Sequence, residues 1–169
     1  MRPTIEEPLR IEWENAQALS LKIRADGKLE GAHEIAHAFY QNLCGTRLLD
    51  PACGSGNFLY VTLNILKQIE SEVLAALVNL GEKQEQLTRI TPGNFRGIEV
   101  KPWAKEIAEL VSWIGYLQWH CWTHGKGMPP PSPELQDYGN IECRDAVLAW
   151  DKANLALNER EHIGQSRAS

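Results

Sequence analysis

The sequence predicts an α/β fold: a short parallel sheet with crossover helices, preceded by a pair of helices. Three observations carry that reading. Beyond residue 46, strand-like apolar runs and helical 3–4 spacing alternate in the order β-α-β-α-β, the order of a parallel sheet. Two helical stripes come before the first strand. That strand ends in a glycine-rich turn, Pro51-Ala52-Cys53-Gly54-Ser55-Gly56-Asn57, and the longest apolar stripe of the chain departs from it.

Each element has its own signal. Residues 4–24 carry Ile5, Leu9, Trp13, Ala16 and Ile23 close to one stripe, which predicts an amphipathic helix. Asp26-Gly27 is a turn signal. Leu29, Ala32, Ala36, Phe39 and Leu43 form a second stripe, with Gly45 as its stop. Arg47 to Asp50 reads as a short buried strand. Residues 57–80 repeat Leu59, Leu63, Leu66, Val73, Leu77 and Leu80 on one face, and Gly81 closes that helix. A polar stretch over 82–94 ends in Thr-Pro-Gly-Asn, a loop, and Phe95 to Val100 is the second strand. Pro102 opens the next helix, with Trp103, Ile107, Leu110, Ile114 and Leu117 as its expected buried stripe. Residues 125–133 (GKGMPPPSP) read as an exposed loop, Asn140 to Cys143 as the third strand, and 158–169 as a loose tail.

Composition narrows the class. With 43% hydrophobic and 23% charged residues the chain is globular rather than disordered, and 169 residues suffice for one core without staples. No apolar run approaches the roughly 18 residues of a membrane span. The opening MRPTIEEPLR is too acidic for a secretory signal. Cys44, Cys53, Cys121 and Cys143 form no CxxC pair, which suits reduced thiols in a cytoplasm. A net charge of -5 argues against an autonomous nucleic-acid binder, though not against one part of a larger nucleic-acid enzyme.

The glycine turn is the sharpest chemical signal. A strand feeds it, a helix N-terminus leaves it, and the carboxyl ends of parallel strands are where ligands bind in open sheets. Leu59 stands where a GxGxxG fingerprint needs its third glycine, and no GK[ST] follows, so neither a dinucleotide fingerprint nor a P-loop is present. Asp50 precedes the turn, Glu99 closes the second strand and Asp145 follows the third. Either later acid alone reads as a cap or a solvated charge. Three acids at three successive strand ends, the first with GxG behind it, read as a nucleoside site with an amino-acid head. Glu99 lies 43 positions after Gly56, against about 20 in a compact dinucleotide fold, and the long helix and polar loop account for the excess.

These residues resemble a known family. DPACGSGNFL, then GIE, then NI-x-x-x-DA look like motifs I, II and III of adenine-specific DNA methyltransferases, most of all the large single-chain restriction–modification enzymes of type IIG/IIL. Trp113 to Gln118 and the opening PTIEEPLRIEW look similar to segments of that group, so the resemblance covers about residues 3–151. It implies a Rossmann-like methyltransferase fold truncated to about three parallel strands, and S-adenosylmethionine as cofactor. By resemblance Asp50 and the backbone of Ala52, Cys53, Gly54, Ser55 and Gly56 hold its methionine part. Glu99 would hold the ribose and Asp145 the adenine, with Phe58, Val100 and Ala146 completing the cofactor-binding set. The implied division is N-terminal helices over 1–46, a partial cofactor-binding domain over 47–151, and a tail over 152–169.

The family's catalytic Asn-Pro-Pro-Phe/Tyr motif, which holds a flipped adenine, occurs nowhere in the chain, and no target-recognition domain or basic stripe is present. The expectation is therefore a cofactor-binding half that is inactive alone and meets DNA only within a full-length enzyme. The alternative is a non-catalytic or split-subunit module completed by a second chain. In the family order strand 1 lies between strands 2 and 4, so three strands leave strand 1 at an edge. His33-Glu34-Ile35-Ala36-His37 matches the HExxH zinc pattern. Tyr40 and Leu43 replace the glycine and histidine of its usual continuation, and a solvated helix face is the expected reading. His120, Cys121 and His124 have no second ligand pair, so no metal is expected there. Trp119 and Trp122, off the expected stripe, suggest a patch for a neighbouring domain.

Overall fold

A computed structural model describes residues 2–81, 89–124 and 139–147. A π turn (Arg2–Glu6) leads into α1 (Glu7–Ala25), followed by α2 (Leu29–Gly45), β1 (Leu48–Asp50), α3 (Asn57–Asn79), β2 (Phe95–Glu99), α4 (Pro102–His124) and β3 (Ile141–Cys143). The strands pair in parallel in the order β1-β2-β3, with Leu48 opposite Phe95 and Gly97 opposite Ile141. The expected loop at 125–133 and tail at 158–169 lie outside the described residues.

Parallel pairing in that order needs one crossover between each successive pair of strands, and crossovers of the usual right hand put α3 and α4 on the same face of the sheet. The register agrees. Leu48, Phe95 and Ile141 share one face, and all three belong to or pack on the core with Leu59, Leu63, Leu66 and Leu77 of α3. The other face carries Leu49 (59% exposed), Arg96 and Glu142, all exposed, with Ile98 buried between them. Parallel sheets are ordinarily covered on both faces. Here only one is covered by described helices.

The N-terminal pair joins the same core. Trp13 of α1 lies 5.2 Å, ring to ring, from Phe39 of α2, and the buried Ser20 hydroxyl donates to the Ala32 carbonyl at 2.8 Å. Between them Gly27 (φ 80°) closes α1 with its N–H on the Arg24 carbonyl.

Two asparagines tie the strand beginnings together. The buried Asn94 amide donates to the carbonyls of Cys44 (2.8 Å) and Thr46 (3.0 Å), while its Oδ1 accepts from Thr91 N–H. The Asn140 amide donates to Pro92 and Phe95 carbonyls, both at 3.0 Å. The expected Thr-Pro-Gly-Asn loop is in fact a capped 3-10 turn (Pro92–Asn94) that fixes where β2 starts.

α4 departs from expectation. Trp103, Ile107, Leu110 and Ile114 are 40–59% exposed, whereas Ala104, Ala108, Ser112 and Gly115 face inward. The spacing did define a stripe, but the small residues on the other side let the helix lie closer. Gly115 sits under Tyr60, where a Cβ would come within 2.8 Å of the ring, and Gly56 sits under Ala108. Leu29, expected at the head of the α2 stripe, is also exposed, at 51%.

A buried polar cluster braces the helices. Lys67 Nζ and Glu70 Oε2 of α3 form an ion pair at 2.7 Å, both nearly inaccessible. Glu70 Oε1 accepts the Ile90 N–H at 2.8 Å and faces the Tyr40 hydroxyl of α2 at 3.5 Å. Lys67 also lies 5.3 Å from the Tyr116 ring centre of α4. Burial, with the Glu70 charge beside it, pushes the Tyr40 hydroxyl far above its ordinary range, so it stays protonated. Glu70→Ala leaves a buried ammonium and a buried N–H unpaired. Urea denaturation should show a loss of about 3–5 kcal/mol. Glu72→Ala, which removes the half-exposed partner of Arg10, should cost less than about 1 kcal/mol.

Candidate functional site

The site is built at the carboxyl ends of the three strands. β1 ends at Asp50, whose Oδ1 accepts the Ala52 N–H at 3.1 Å and so starts the turn. Cys53 N–H reaches across to the Ile98 carbonyl at 3.0 Å, fastening the turn to β2. Its thiol is buried against Gly97, where an added Cβ would lie 2.8 Å from Sγ. Burial, then the charges of Asp50 and Glu99, raise the Cys53 pKa. It is a neutral packing thiol, not a nucleophile.

The two glycines of the turn differ in purpose. At Gly54 (φ 54°) an added Cβ would have nothing within 4 Å, so its side of the turn is open. Gly56 (φ 80°) caps α3, and a Cβ there would meet the Ala108 Cα at 2.9 Å. Gly54 thus leaves room for a ligand, while Gly56 leaves room for α4. Sequence reasoning assigned both to the ligand.

Glu99 unites the turn with the second strand. Its Oε2 accepts the Gly54 N–H and its Oε1 the Lys101 N–H, each at 2.9 Å. Donation from Lys101 first, with Gly54 and Val100, holds this carboxyl below the usual carboxylate range despite some desolvation. Val100, next along, is 63% exposed. β3 continues the rim: Arg144 N–H donates to the Glu99 carbonyl at 3.1 Å, and Asp145 Oδ1 accepts the Val147 N–H at 2.8 Å. Asp145 and Ala146 are exposed. Phe58, on the first turn of α3, is half-buried against the core. Asp50, Glu99 and Asp145 therefore stand at successive strand ends around one turn, each accepting at least one main-chain N–H.

The other sequence candidates lie elsewhere. His33 and His37, both half-buried, stack along α2 with ring centres 5.6 Å apart. Among the described residues no group of three or more His, Cys, Asp or Glu side chains could hold a metal ion. Trp119 donates its indole N–H to Asn64 at 2.6 Å and meets Trp122 edge-on at 5.8 Å, between α3 and the last turns of α4. No helix among the described residues is long and apolar enough to cross a membrane.

Comparison with known proteins agrees with this architecture. The profile of the family described as "MmeI, DNA-methyltransferase domain" matches residues 27–164. The chain belongs to that family. Its fold superimposes on the type IIL restriction-modification enzyme MmeI, solved in complex with DNA, with a TM-score of 0.68 and 27% identity over 88% of this chain. DNA methyltransferase A of Bacillus subtilis is 31% identical over 118 residues, 68% of the chain. A Methanocaldococcus jannaschii protein named as a type II restriction enzyme and methyltransferase is 28% identical over 144 residues, 83% of the chain. The chain spans 13% and 12% of the length of those two relatives and 19% of the MmeI chain. It is similar to part of these restriction–modification methyltransferases and has the Rossmann-like α/β fold expected from its motifs.

Two outcomes follow for this MmeI-like domain. Gly56→Ala should cost more than Gly54→Ala in urea denaturation. Each loses about 1–2 kcal/mol to left-handed backbone, and Gly56 adds a main-chain clash of about 1–3 kcal/mol. For Glu99, the depressed folded pKa means its anchoring of the turn is present above the ordinary carboxylate range. That anchoring is lost only as pH falls through the lower folded value. A carboxyl NMR titration should place its midpoint below that of an unstructured glutamate.

Proposed function

We propose that this domain is the S-adenosylmethionine-binding segment of a site-specific DNA adenine-N6 methyltransferase. The observation that carries the proposal is the open glycine turn: Gly54 offers a clear face beside a carboxylate, Glu99, that is held ionised by main-chain N–H groups. The donor set fits the cofactor. Asp50 and the 52–56 backbone suit an amino-acid head, Glu99 suits paired ribose hydroxyls, and Asp145 suits an exocyclic amine. Phe58, Val100 and Ala146 frame the same rim. The cofactor supplies a methyl activated on a sulfonium. What these residues contribute is position: they hold the donor at the strand ends while the acceptor adenine is presented from elsewhere.

That presentation needs residues this chain lacks, since no Asn-Pro-Pro occurs in it. The MmeI structure contains DNA, and for this domain DNA contact belongs to a longer enzyme. A second reading, completion by a separate polypeptide, rests on β1. Among the described residues it stands at the sheet edge, which a further strand would pair.

Calorimetric titration with S-adenosylmethionine tests the proposal. Weak binding is expected, reduced at least about tenfold by Asp50→Ala or Glu99→Ala, a loss of about 1.4 kcal/mol. No binding by the folded chain would refute the cofactor assignment. Methyl transfer to DNA by the purified 169-residue chain would refute the need for a second half.

A further inference from the structure

The outward stripe of α4 is the surface feature that the cofactor site does not explain. Trp103 (59% exposed), Ile107 (40%), Leu110 (52%) and Ile114 (43%) recur at helical spacing. Charge touches this stripe at its N-terminal end, where Lys101 lies 5.7 Å from the Trp103 ring centre and the exposed Glu106 precedes Ile107. The opposite side of the same helix is buried through Ala104, Ala108 and Ser112. A helix that is apolar on both sides is normally a buried helix. Here one of its two sides faces water.

We infer that the Trp103–Ile107–Leu110–Ile114 face is the docking surface for an apolar helix from the remainder of the same methyltransferase polypeptide. The inference rests on the reading that this domain works within a longer enzyme. The stripe is one residue wide and rises about 16 Å along the helix. That matches the single apolar seam of another helix rather than the broad face of a sheet. Two copies meeting on it would bury far less than the roughly 1,200 Å² of a stable dimer. Inter-domain contacts within one chain hold at smaller areas, because the tether raises the effective concentration. The matched relatives carry this segment as 12–19% of one long chain, so tethered polypeptide is abundant in them. Nucleic acid is disfavoured, since none of the four stripe residues is basic.

The test has two arms. In the isolated chain, Ile107→Glu and Leu110→Glu should raise soluble yield, leave the melting temperature within about 1 °C, and leave S-adenosylmethionine titration unchanged. Sedimentation should show a monomer. A dimer dispersed by Ile107→Glu would overturn the inference in favour of a second copy. In full-length Bacillus subtilis DNA methyltransferase A, glutamate is placed at the positions aligned with Ile107 and Leu110. As a control it is also placed at the position aligned with Val78, an ordinary half-exposed residue of α3. The two α4 variants should melt several degrees below the wild type and the Val78 control. Wild-type melting of both would mean the face is solvated in the long enzyme too, and would overturn the inference. The sedimentation and melting readouts do not depend on cofactor binding by this chain, so a failure of the cofactor assignment would show separately.

Discussion

The arrangement depends on one close approach. Gly56 turns the chain into α3 with no room for a side chain, because the Ala108 backbone of α4 lies where its Cβ would be. That contact places α4 over the turn and directs its small residues inward. Glu99, at the end of the strand that leads into α4, can then accept from Gly54 and Lys101 together. Turn, second strand and second crossover helix are thereby fixed as one body around the strand ends. Helix packing and the geometry of the strand-end rim have the same cause.

The strand beginnings are secured by different chemistry. At the ligand end, acids accept main-chain N–H groups. At the other end, the Asn94 and Asn140 amides donate to main-chain carbonyls. Strand beginnings expose carbonyl groups from the entering loops, and a neutral amide satisfies them without bringing a charge into the core. The charged acceptors stand instead at the open rim, where solvent reaches them. The Lys67–Glu70 pair is the exception, a charged cluster inside the helical layer. It is tolerated because Glu70 is also satisfied by Ile90 and Lys67 by the Tyr116 ring.

How far the sequence could be read follows from these contacts. The strands, the four helices and the strand-end acids were legible because periodicity and the glycine turn are local signals. Main-chain partners of Glu99, and the division of labour between Gly54 and Gly56, were not, since they depend on residues 45 and 52 positions apart meeting in space. The inner face of α4 was hidden for a related reason. Hydrophobicity marks which residues share a stripe, but Ala104, Ala108 and Gly115 win the inner position by being small. Nothing in a single helix's pattern says that its neighbour will demand closeness over greasiness.

The choice of small residues for the inner face has a physical consequence for how the enzyme is assembled. If the bulky stripe had faced the sheet, α4 would stand off by the width of a Trp or Leu side chain. Gly56 would then lose its close neighbour and the turn its support. The small face is therefore dictated by the glycine turn, and the large apolar residues have only the outside left to them. Retaining them there is costly for a solvated helix and useful for one that is covered. The same holds for Leu49, exposed on the sheet face that no described helix covers. These exposed apolar residues therefore lie on the outer side of α4 and at Leu49 of β1, to either side of the strand-end acids. A domain so constructed fixes its strand-end acids from within and leaves the bulky stripe of α4 on its outside.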